Sequence, residues 1–214
     1  MSGGGFTVEE IDAGEALFRR PWTFVMSVPS LDYLPTAARP EIAFGGRSNV
    51  GKSSLINALV NQHGLARTSN TPGRTQELNF FEAPGLALRL VDMPGYGFAQ
   101  APKAKVEQWT ALVKDYLRGR PTLARVLLLI DARHGLKAAD LTVMGLMDQA
   151  AVSYQIVMTK IDKIKPGELT RIMAATAAEL KRHAAAHPAL LATSARAGTG
   201  MAELRAQIAQ VGLA

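Results

Sequence analysis

The stretch GGRSNVGKSSL, residues 45–55, has the spacing G-x-x-x-x-G-K-[ST] at Gly46, Gly51, Lys52 and Ser53. Glycines let main-chain N–H groups turn toward an anion, and the N-terminus of a following helix favours negative charge. The ammonium group of Lys52 can reach the β- and γ-phosphates of a nucleotide, and the hydroxyl of Ser53 can coordinate magnesium. The pattern predicts a phosphate-binding loop, and the alternative is a glycine-rich turn without a ligand.

The segment MTKID, residues 158–162, ends in a carboxylate. Asp162 can accept two hydrogen bonds from the ring N–H and the exocyclic amine of guanine, whereas adenine would leave this carboxylate unpaired at a cost. The stem of Lys160 can lie along the base, and Thr159 can brace the loop. The segment indicates a guanine site, and a solvated turn is the alternative when it is taken by itself.

Three other stretches offer groups that a bound nucleotide needs. In VDMPGYG, Asp92 can hold magnesium through water, and the N–H of Gly95 can bond the γ-phosphate. In TPGRTQ, Thr75 offers a second hydroxyl to magnesium, and in TSA, residues 193–195, backbone N–H groups can approach the guanine oxygen. Singly, the first two could be a hairpin turn and a polar loop. Together and in this order, the motifs predict a guanine nucleotide site.

The motifs depend on elements in which apolar runs alternate with helix-period segments, a pattern typical of an α/β fold with a mostly parallel sheet. A tight turn at residues 83–85 makes the second and third strands an antiparallel hairpin. Every motif then lies at or after the C-terminal end of a strand, where open α/β sheets bind ligands. The expected strands are residues 41–46, 76–83, 86–95, 125–132, 154–160 and 189–195, and the expected helices are residues 51–60, 103–118, 141–148, 166–180 and 201–208.

Composition limits the class of protein. The 214 residues are 48% apolar and 20% charged, which suits one α/β domain with a buried core. The absence of cysteine excludes disulfides, thiolate metal sites and cysteine nucleophiles. No apolar run is long enough to cross a bilayer, and the N-terminal stretch lacks the apolar core of a signal peptide. We expect a cytoplasmic protein with no membrane partner, in which residues 1–20 are a flexible extension and residues 21–214 a single domain.

The chain is basic, with a formal net charge of +6 and a pI near 9.8. This balance suits an anionic partner such as RNA, and the alternative is a slightly basic surface with no such partner.

The stretches PEIAFGGRSNVGKSSLINAL, TPGRTQELNFF, VDMPGYGFA and TKIDK resemble the EngB (YihA/YsxC) family of bacterial GTPases. The resemblance covers nearly the whole chain after about the first twenty residues. It implies a translation-factor-type (TRAFAC) P-loop NTPase G domain: a mixed, mostly parallel six-stranded sheet with one antiparallel strand and helices on both faces. It also implies a monomeric switch in assembly of the large ribosomal subunit, with rRNA and ribosomal proteins as partners, and a need for the protein in normal cell division and septation.

The resemblance also implies which residues bind GTP and GDP. Magnesium would be held by Ser53 and Thr75, and the guanine motif has Thr159 where most GTPases carry asparagine. The implied binding residues are Gly46, Arg47, Ser48, Asn49, Val50, Gly51, Lys52 and Ser53 at the phosphates; Gly73, Arg74, Thr75, Gln76 and Glu77 in the first switch; Asp92, Met93, Pro94 and Gly95 in the second switch; and Thr159, Lys160, Ile161, Asp162, Thr193, Ser194 and Ala195 around guanine.

Hydrolysis of GTP requires a water in line with the γ-phosphorus and positive charge to stabilise the transition state. Many small GTPases orient that water with a glutamine directly after D-x-x-G, where this chain has Tyr96, so we expect slow intrinsic turnover. The catalytic candidates are Lys52, Thr75 and Asn49. Related GTPases use an asparagine at the position of Asn49 to hold a potassium ion, and the alternative is that Asn49 only shapes the loop.

The ribosomal particle could supply the missing catalytic group. The candidate contacts are cations in the first switch, at the start of the helix after the second switch, and near the end of a later helix: Arg74, Lys103, Lys105, Lys181, Arg182 and His183. For Lys181, Arg182 and His183 the alternative is that positive charge near a helix C-terminus favours the dipole without any RNA. For Lys103 and Lys105 the alternative is a solvated helix start. Two other functions stay open: a nucleotide-dependent binding module in division whose hydrolysis is incidental, and an ATPase in which Asp162 lies away from the base.

Overall fold

The computed structural model of the chain describes residues 5–66, 77–97 and 103–212. Its helices are α1 (Val8–Phe18), α2 (Lys52–Leu59), α3 (Lys103–Gly119), α4 (Ala138–Gln149), α5 (Pro166–Leu180) and α6 (Met201–Gly212). Its strands are β1 (Thr23–Val28), β2 (Glu41–Gly46), β3 (Leu78–Glu82), β4 (Arg89–Asp92), β5 (Leu123–Asp131), β6 (Tyr154–Thr159) and β7 (Leu191–Ala192).

The strands form one seven-stranded sheet in the order β1-β3-β4-β2-β5-β6-β7. The strands from β4 to β7 in this order pair in parallel, and β3 is antiparallel to both of its neighbours, β1 and β4. The expected mostly parallel sheet with one antiparallel strand is confirmed, but the count of six strands is wrong. The missed strand is β1, an edge strand. Its sequence, TFVMSV, has consecutive apolar residues, of which Phe24 and Val25 are both exposed. It therefore lacks the alternation of apolar and polar residues that identifies a half-buried strand.

Helices cover both faces of the sheet, as expected. Successive residues of β2 point to opposite sides: Ala43 belongs to the hydrophobic cluster that includes residues of α3, α4 and α5, whereas Ile42 and Phe44 belong to the cluster with α1, α2 and α6. Both faces of the central strands are therefore buried, which explains their nearly continuous apolar sequences. Within the described ranges, no helix combines the length and hydropathy that a membrane span requires.

The structure corrects the expectation that residues 1–20 are a flexible extension. Residues 8–18 form α1, and Thr7 and Glu10 make a reciprocal capping box at its start. The helix lies close against α6, because a Cβ on Gly14 would come within 2.4 Å of the Ala206 nitrogen. The side chain of Phe18 is fully buried. This segment is therefore part of the core on one face of the sheet.

Candidate nucleotide-binding site

The chain between β2 and α2 forms a tight loop. Asn49 (φ 62°) and Gly51 (φ 104°) lie in the left-handed region, which favours glycine and tolerates asparagine. A Cβ on Gly46 would come within 2.8 Å of the Val50 side chain and 3.1 Å of a carbonyl oxygen of β5, so only glycine allows this close return. The first N–H groups of α2 have no partner within the helix, and with the helix dipole they provide an anion site beside Lys52.

The D-x-x-G segment, residues 92–95, runs beside this loop. The N–H of Tyr96 donates to the carbonyl of Gly46 at 3.2 Å, and the N–H of Ser48 donates to the carbonyl of Tyr96 at 2.9 Å. A Cβ on Gly95 would lie 3.2 Å from Oγ of Ser48, so the missing side chain lets the main chain approach the loop. Main-chain hydrogen bonds therefore join the two phosphate motifs.

Lys52 and Asp92 form an ion pair, Nζ to Oδ1, at the mouth of the loop. Their side chains are 12% and 8% exposed, so each charge is largely withdrawn from water and depends on a partner. A polyphosphate carrying a divalent cation would offer both residues a new partner of the right sign.

The oxygen atoms near the loop suit magnesium. The Ser53 hydroxyl lies in the first turn of α2, and the Asp92 carboxylate ends β4. Across the described ranges, no group of three or more His, Cys, Asp or Glu could hold a metal by itself. This donor set fits magnesium, which usually takes one or two protein oxygens together with substrate phosphates. The other expected ligand, Thr75, lies outside the described residues.

The end of β6 contacts the phosphate loop directly. The hydroxyl of Thr159 donates to the carbonyl of Val50 at 2.7 Å, so this side chain braces the loop. Nζ of Lys160 donates to the carbonyl of Asn49 at 2.5 Å and to Oδ2 of Asp131 at 3.0 Å. The Lys160 stem therefore passes over the loop and is fixed from both sides.

Asp162 is oriented by the TSA segment. Oγ of Ser194 donates to Oδ1 of Asp162 at 2.7 Å, and this hydrogen bond lowers the pKa of Asp162 below its usual value, so the carboxylate stays charged at neutral pH. The N–H and the hydroxyl of Thr193 both donate to the carbonyl of Met158, at 2.7 and 2.8 Å. Strand β7 is limited to Leu191–Ala192, so it ends directly before the TSA segment.

The other predicted binding residues lie beside these groups. The side chains of Val50, Met93 and Pro94 are buried. The N–H of Ile161 donates to the carbonyl of Thr193, and Ala195 is partly exposed.

Sequence reasoning missed Asp131, the last residue of β5. Burial alone would raise the pKa of this carboxyl, but hydrogen bonds from Arg133 and Lys160 outweigh burial and hold the pKa well below its usual range. Asp131 thus fixes a side chain that we assigned to the base. The signal that could have found it is its place at the carboxyl end of the apolar run RVLLLID, the same kind of place that identified Asp92.

Sequence reasoning also missed Asp140, which is fully buried in the first turn of α4. Its Oδ1 accepts a hydrogen bond from the Tyr96 hydroxyl at 2.8 Å, and its Oδ2 accepts one from the N–H of Lys137 at 2.8 Å. Nε of Arg47, in the phosphate loop, lies 3.2 Å from Oδ2. An acidic residue in a first helical turn suggests only a cap, so no sequence signal pointed to these contacts.

Several candidates of the first switch and of the basic surface fall elsewhere. Gly73, Arg74, Thr75 and Gln76 lie outside the described residues, as do the side chains of Lys103 and Lys105, while Glu77 lies just before β3. Near the end of α5, Arg182 pairs with Glu179 at 3.6 Å, and Nδ1 of His183 lies 2.6 Å from Oδ2 of Asp148. These two residues have partners within the protein, which favours the ordinary helix-end interpretation for them.

Comparison with known proteins decides the family. A family model described as "50S ribosome-binding GTPase" matches residues 41–160, more than half of the chain. A probable GTP-binding protein EngB from Bradyrhizobium diazoefficiens is 60% identical over 202 residues, which cover 94% of this chain and 93% of that protein. The chain belongs to the EngB family. Another EngB relative, a probable GTP-binding protein from Mesorhizobium japonicum, is 60% identical over 200 residues and covers 90% of this chain and 94% of its own.

Solved structures agree on the fold. A probable GTP-binding protein engB aligns with a TM-score of 0.63 at 23% identity, covering 80% of this chain and 97% of that one. Era in complex with MgGDPNP and nucleotides 1506–1542 of 16S ribosomal RNA aligns with a TM-score of 0.62 at 22% identity, covering 81% of this chain and 57% of that one. The resemblance noted in the sequence is therefore confirmed, and this member of the EngB family has the P-loop GTPase fold.

Proposed function

We propose that this EngB-family chain hydrolyses GTP to GDP and phosphate as a switch in assembly of the large ribosomal subunit, and that normal cell division and septation need it. The observation that most directly supports the nucleotide site is the position of Lys160. Its Nζ bonds the carbonyl of Asn49 in the phosphate loop, while Asp162, two residues later, accepts a hydrogen bond from Ser194. One short segment thus contacts both the loop that we propose for the phosphates and the segment that we propose for the base.

Asp162 is proposed to select guanine through the ring N–H and the exocyclic amine. The test is Asp162→Asn, measured by competition against fluorescent GDP. An amide at this position should shift the preference from guanosine to xanthosine nucleotides, because xanthine presents an oxygen where guanine presents an amine. An ATPase would instead show ADP competing with GDP as well as unlabelled GDP does.

Intrinsic hydrolysis is proposed to be slow. Magnesium, when bound, would offset charge on the phosphates, with Ser53 and Thr75 as its protein ligands. Lys52 would hold the β- and γ-phosphates in position. Tyr96 stands where many small GTPases have the water-orienting glutamine. Its hydroxyl donates a hydrogen bond to Asp140 at 2.8 Å, and its side chain has no carboxamide that could orient the water. The missing group would therefore come from outside the chain.

Asn49 has two proposed roles that the reaction can separate. Its left-handed backbone and the bond from Lys160 to its carbonyl favour a role in shaping the loop. Turnover measured in potassium and in sodium at equal ionic strength distinguishes this role from potassium binding. Equal rates would leave loop shaping, and faster turnover in potassium would assign the cation to Asn49.

The ribosomal partner is supported by the family description, which names 50S ribosome binding, and by the net charge of +6. The test is co-sedimentation of the protein, a proposed cytoplasmic monomer, with large-subunit particles in GDP and in a non-hydrolysable GTP analogue. We expect more binding with the analogue, and a steep loss with salt because contacts to RNA phosphates release counterions. Equal binding in both nucleotides would contradict a switch on this particle and favour the alternative, a binding module in division whose hydrolysis is incidental.

A further inference from the structure

A buried carboxylate joins the two phosphate-facing segments to α4. Asp140 contacts Tyr96, which follows D-x-x-G, and Arg47, which lies in the phosphate loop. We call Arg47, Tyr96 and Asp140 the Asp140 cluster. Asp140 has no exposed surface and Tyr96 is 5% exposed, so the contacts are made away from water. Within such a site, removal of one hydrogen-bonding partner leaves the other with an uncompensated polar group.

The role of Asp140 exceeds that of a helix cap. One oxygen, Oδ2, accepts from the N–H of Lys137 and would satisfy the cap by itself. The other oxygen, Oδ1, accepts from Tyr96, a residue 44 positions earlier in the chain. Burial and the neighbouring Asp140 carboxylate raise the pKa of Tyr96 well above its usual value, so its hydroxyl stays protonated and donates.

The main chain of Tyr96 is held as firmly as its side chain. Its N–H donates to Gly46 and its carbonyl accepts from Ser48, on both sides of the turn that opens the phosphate loop. Gly95, directly before it, is the residue whose N–H we expect at the γ-phosphate. The Tyr96 hydroxyl therefore anchors the D-x-x-G segment to α4. The main chain of this segment is expected to contact the γ-phosphate and not the α- and β-phosphates.

We propose that Asp140 is a positioning residue for the γ-phosphate: by holding Tyr96 and Arg47, it keeps the N–H of Gly95 in place and so sets the preference of the site for GTP over GDP. This inference rests on the proposed guanine nucleotide function. GDP has no γ-phosphate and so does not need the N–H of Gly95 in place, and its affinity should not change when the Tyr96 hydroxyl is removed. GTP binding to a protein without the anchor must also order the segment, and this ordering weakens binding.

The test compares Tyr96→Phe with Tyr116→Phe. Tyr116 is buried, as Tyr96 is, and its hydroxyl also donates to a buried carboxylate, that of Glu41, at 3.0 Å. It lies at the opposite end of the parallel strands, where β2 begins. Each variant removes a hydroxyl that donates a hydrogen bond to a buried carboxylate, so each should have a lower melting temperature than the unaltered protein. Only Tyr96→Phe should lower affinity for a non-hydrolysable GTP analogue, by about tenfold, while leaving GDP affinity unchanged.

The outcomes separate this inference from the proposed function. Failure of the unaltered protein to bind fluorescent GDP would refute the nucleotide function itself. Normal GDP binding with an unchanged ratio of analogue to GDP affinity in Tyr96→Phe would overturn the positioning role, and so would the same change of ratio in Tyr116→Phe. If Tyr96→Phe yields too little folded protein, Asp140→Asn is measured in the same way, with a lower ratio expected and an unchanged ratio contradicting the proposal.

Discussion

Charged side chains are paired differently at the two ends of the parallel strands, which we call the amino edge and the carboxyl edge of the sheet. At the amino edge, where β2, β4 and β5 begin, Glu41 has no exposed surface. Its carboxylate accepts hydrogen bonds from Arg89 at 3.2 Å, from Arg120 at 2.5 Å and from the Tyr116 hydroxyl at 3.0 Å. Each carboxylate oxygen is used, and the partners come from two parts of the chain, the start of β4 and the C-terminal end of α3. This edge is a closed network of buried charges.

At the carboxyl edge the charges are paired more sparsely and closer to water. Asp92 pairs with Lys52, and Lys160, whose side chain is 28% exposed, pairs with Asp131. A ligand that brings phosphates and a cation could replace the partners of Lys52 and Asp92. The comparison teaches that ion pairs of the same kind are enclosed in the fold at one edge, whereas at the other edge they lie where a ligand could replace their partners.

The largest effect should follow from breaking the amino edge. Glu41→Gln leaves two buried guanidinium groups without their shared counter-charge, so the free energy of unfolding should fall by about 3 kcal/mol. Urea denaturation measures this loss, and the folded fraction should keep its GDP affinity. The control is Glu82→Gln, which removes a partner of Arg89 that is 22% exposed and should cost less. Equal losses of unfolding free energy in the two variants would contradict the idea that the fully buried Glu41 matters more to the fold than the partly exposed Glu82.

The next largest effect should appear at the carboxyl edge as lost binding rather than lost stability. Lys52→Ala removes the cation assigned to two phosphates, so affinity for GDP and for a GTP analogue should fall by about a hundredfold in a titration with fluorescent nucleotide. Lys181→Ala is the matched control, because it removes the same charge from an exposed position after α5. Unchanged affinity in the Lys52 variant would mean that the pair with Asp92 is structural, like the pairs at the amino edge.

A smaller effect should come from Asp131→Asn. Loss of the carboxylate frees Lys160 from one side, so GDP affinity should fall by about tenfold in the same titration. Arg133→Ala is the control: Arg133 also bonds Asp131, but its loss leaves the contact between Lys160 and Asp131 in place. If both variants weaken binding equally, the charge around Asp131 matters rather than the placement of Lys160.

The parts of this site that the sequence predicted are those whose chemistry lies within one short stretch. The phosphate loop needs its glycines, lysine and serine at fixed spacing, so local geometry identifies them. The contacts between stretches were not predictable: the bond from Lys160 to Asn49 joins residues 111 positions apart, and only the parallel pairing of strands brings them together. Asp140 is hidden for the same reason.

The fold, too, was predictable where the signal lies within one stretch of sequence and not where it depends on contacts between distant stretches. The buried central strands were predicted because both of their faces are apolar. Helix α1 was missed although T-x-x-E at Thr7 and Glu10 is a capping-box signature, because the closeness of Gly14 to α6 exists only in the assembled domain. Strand β1 was missed because an exposed edge gives little periodicity.

The smallest effect, a pH dependence, sharpens the comparison at Asp131. Its pKa lies well below the usual range in the fold, whereas an unfolded Asp titrates at about 3.9. Since the folded state holds the proton less tightly, the charged carboxylate stabilises the fold above that unfolded pKa, and this contribution is lost as pH falls from it toward the folded pKa.

The free energy of unfolding of the unaltered protein should therefore exceed that of Asp131→Asn by a constant amount from about pH 8 to about pH 5, and the difference should shrink below about pH 4. Urea denaturation at each pH measures it. A difference that grows on acidification would mean that burial, the only influence that raises this pKa, outweighs the hydrogen bonds from Arg133 and Lys160. Asp131 would then be held as a neutral group, and Lys160 would lack the counter-charge that places it over the phosphate loop.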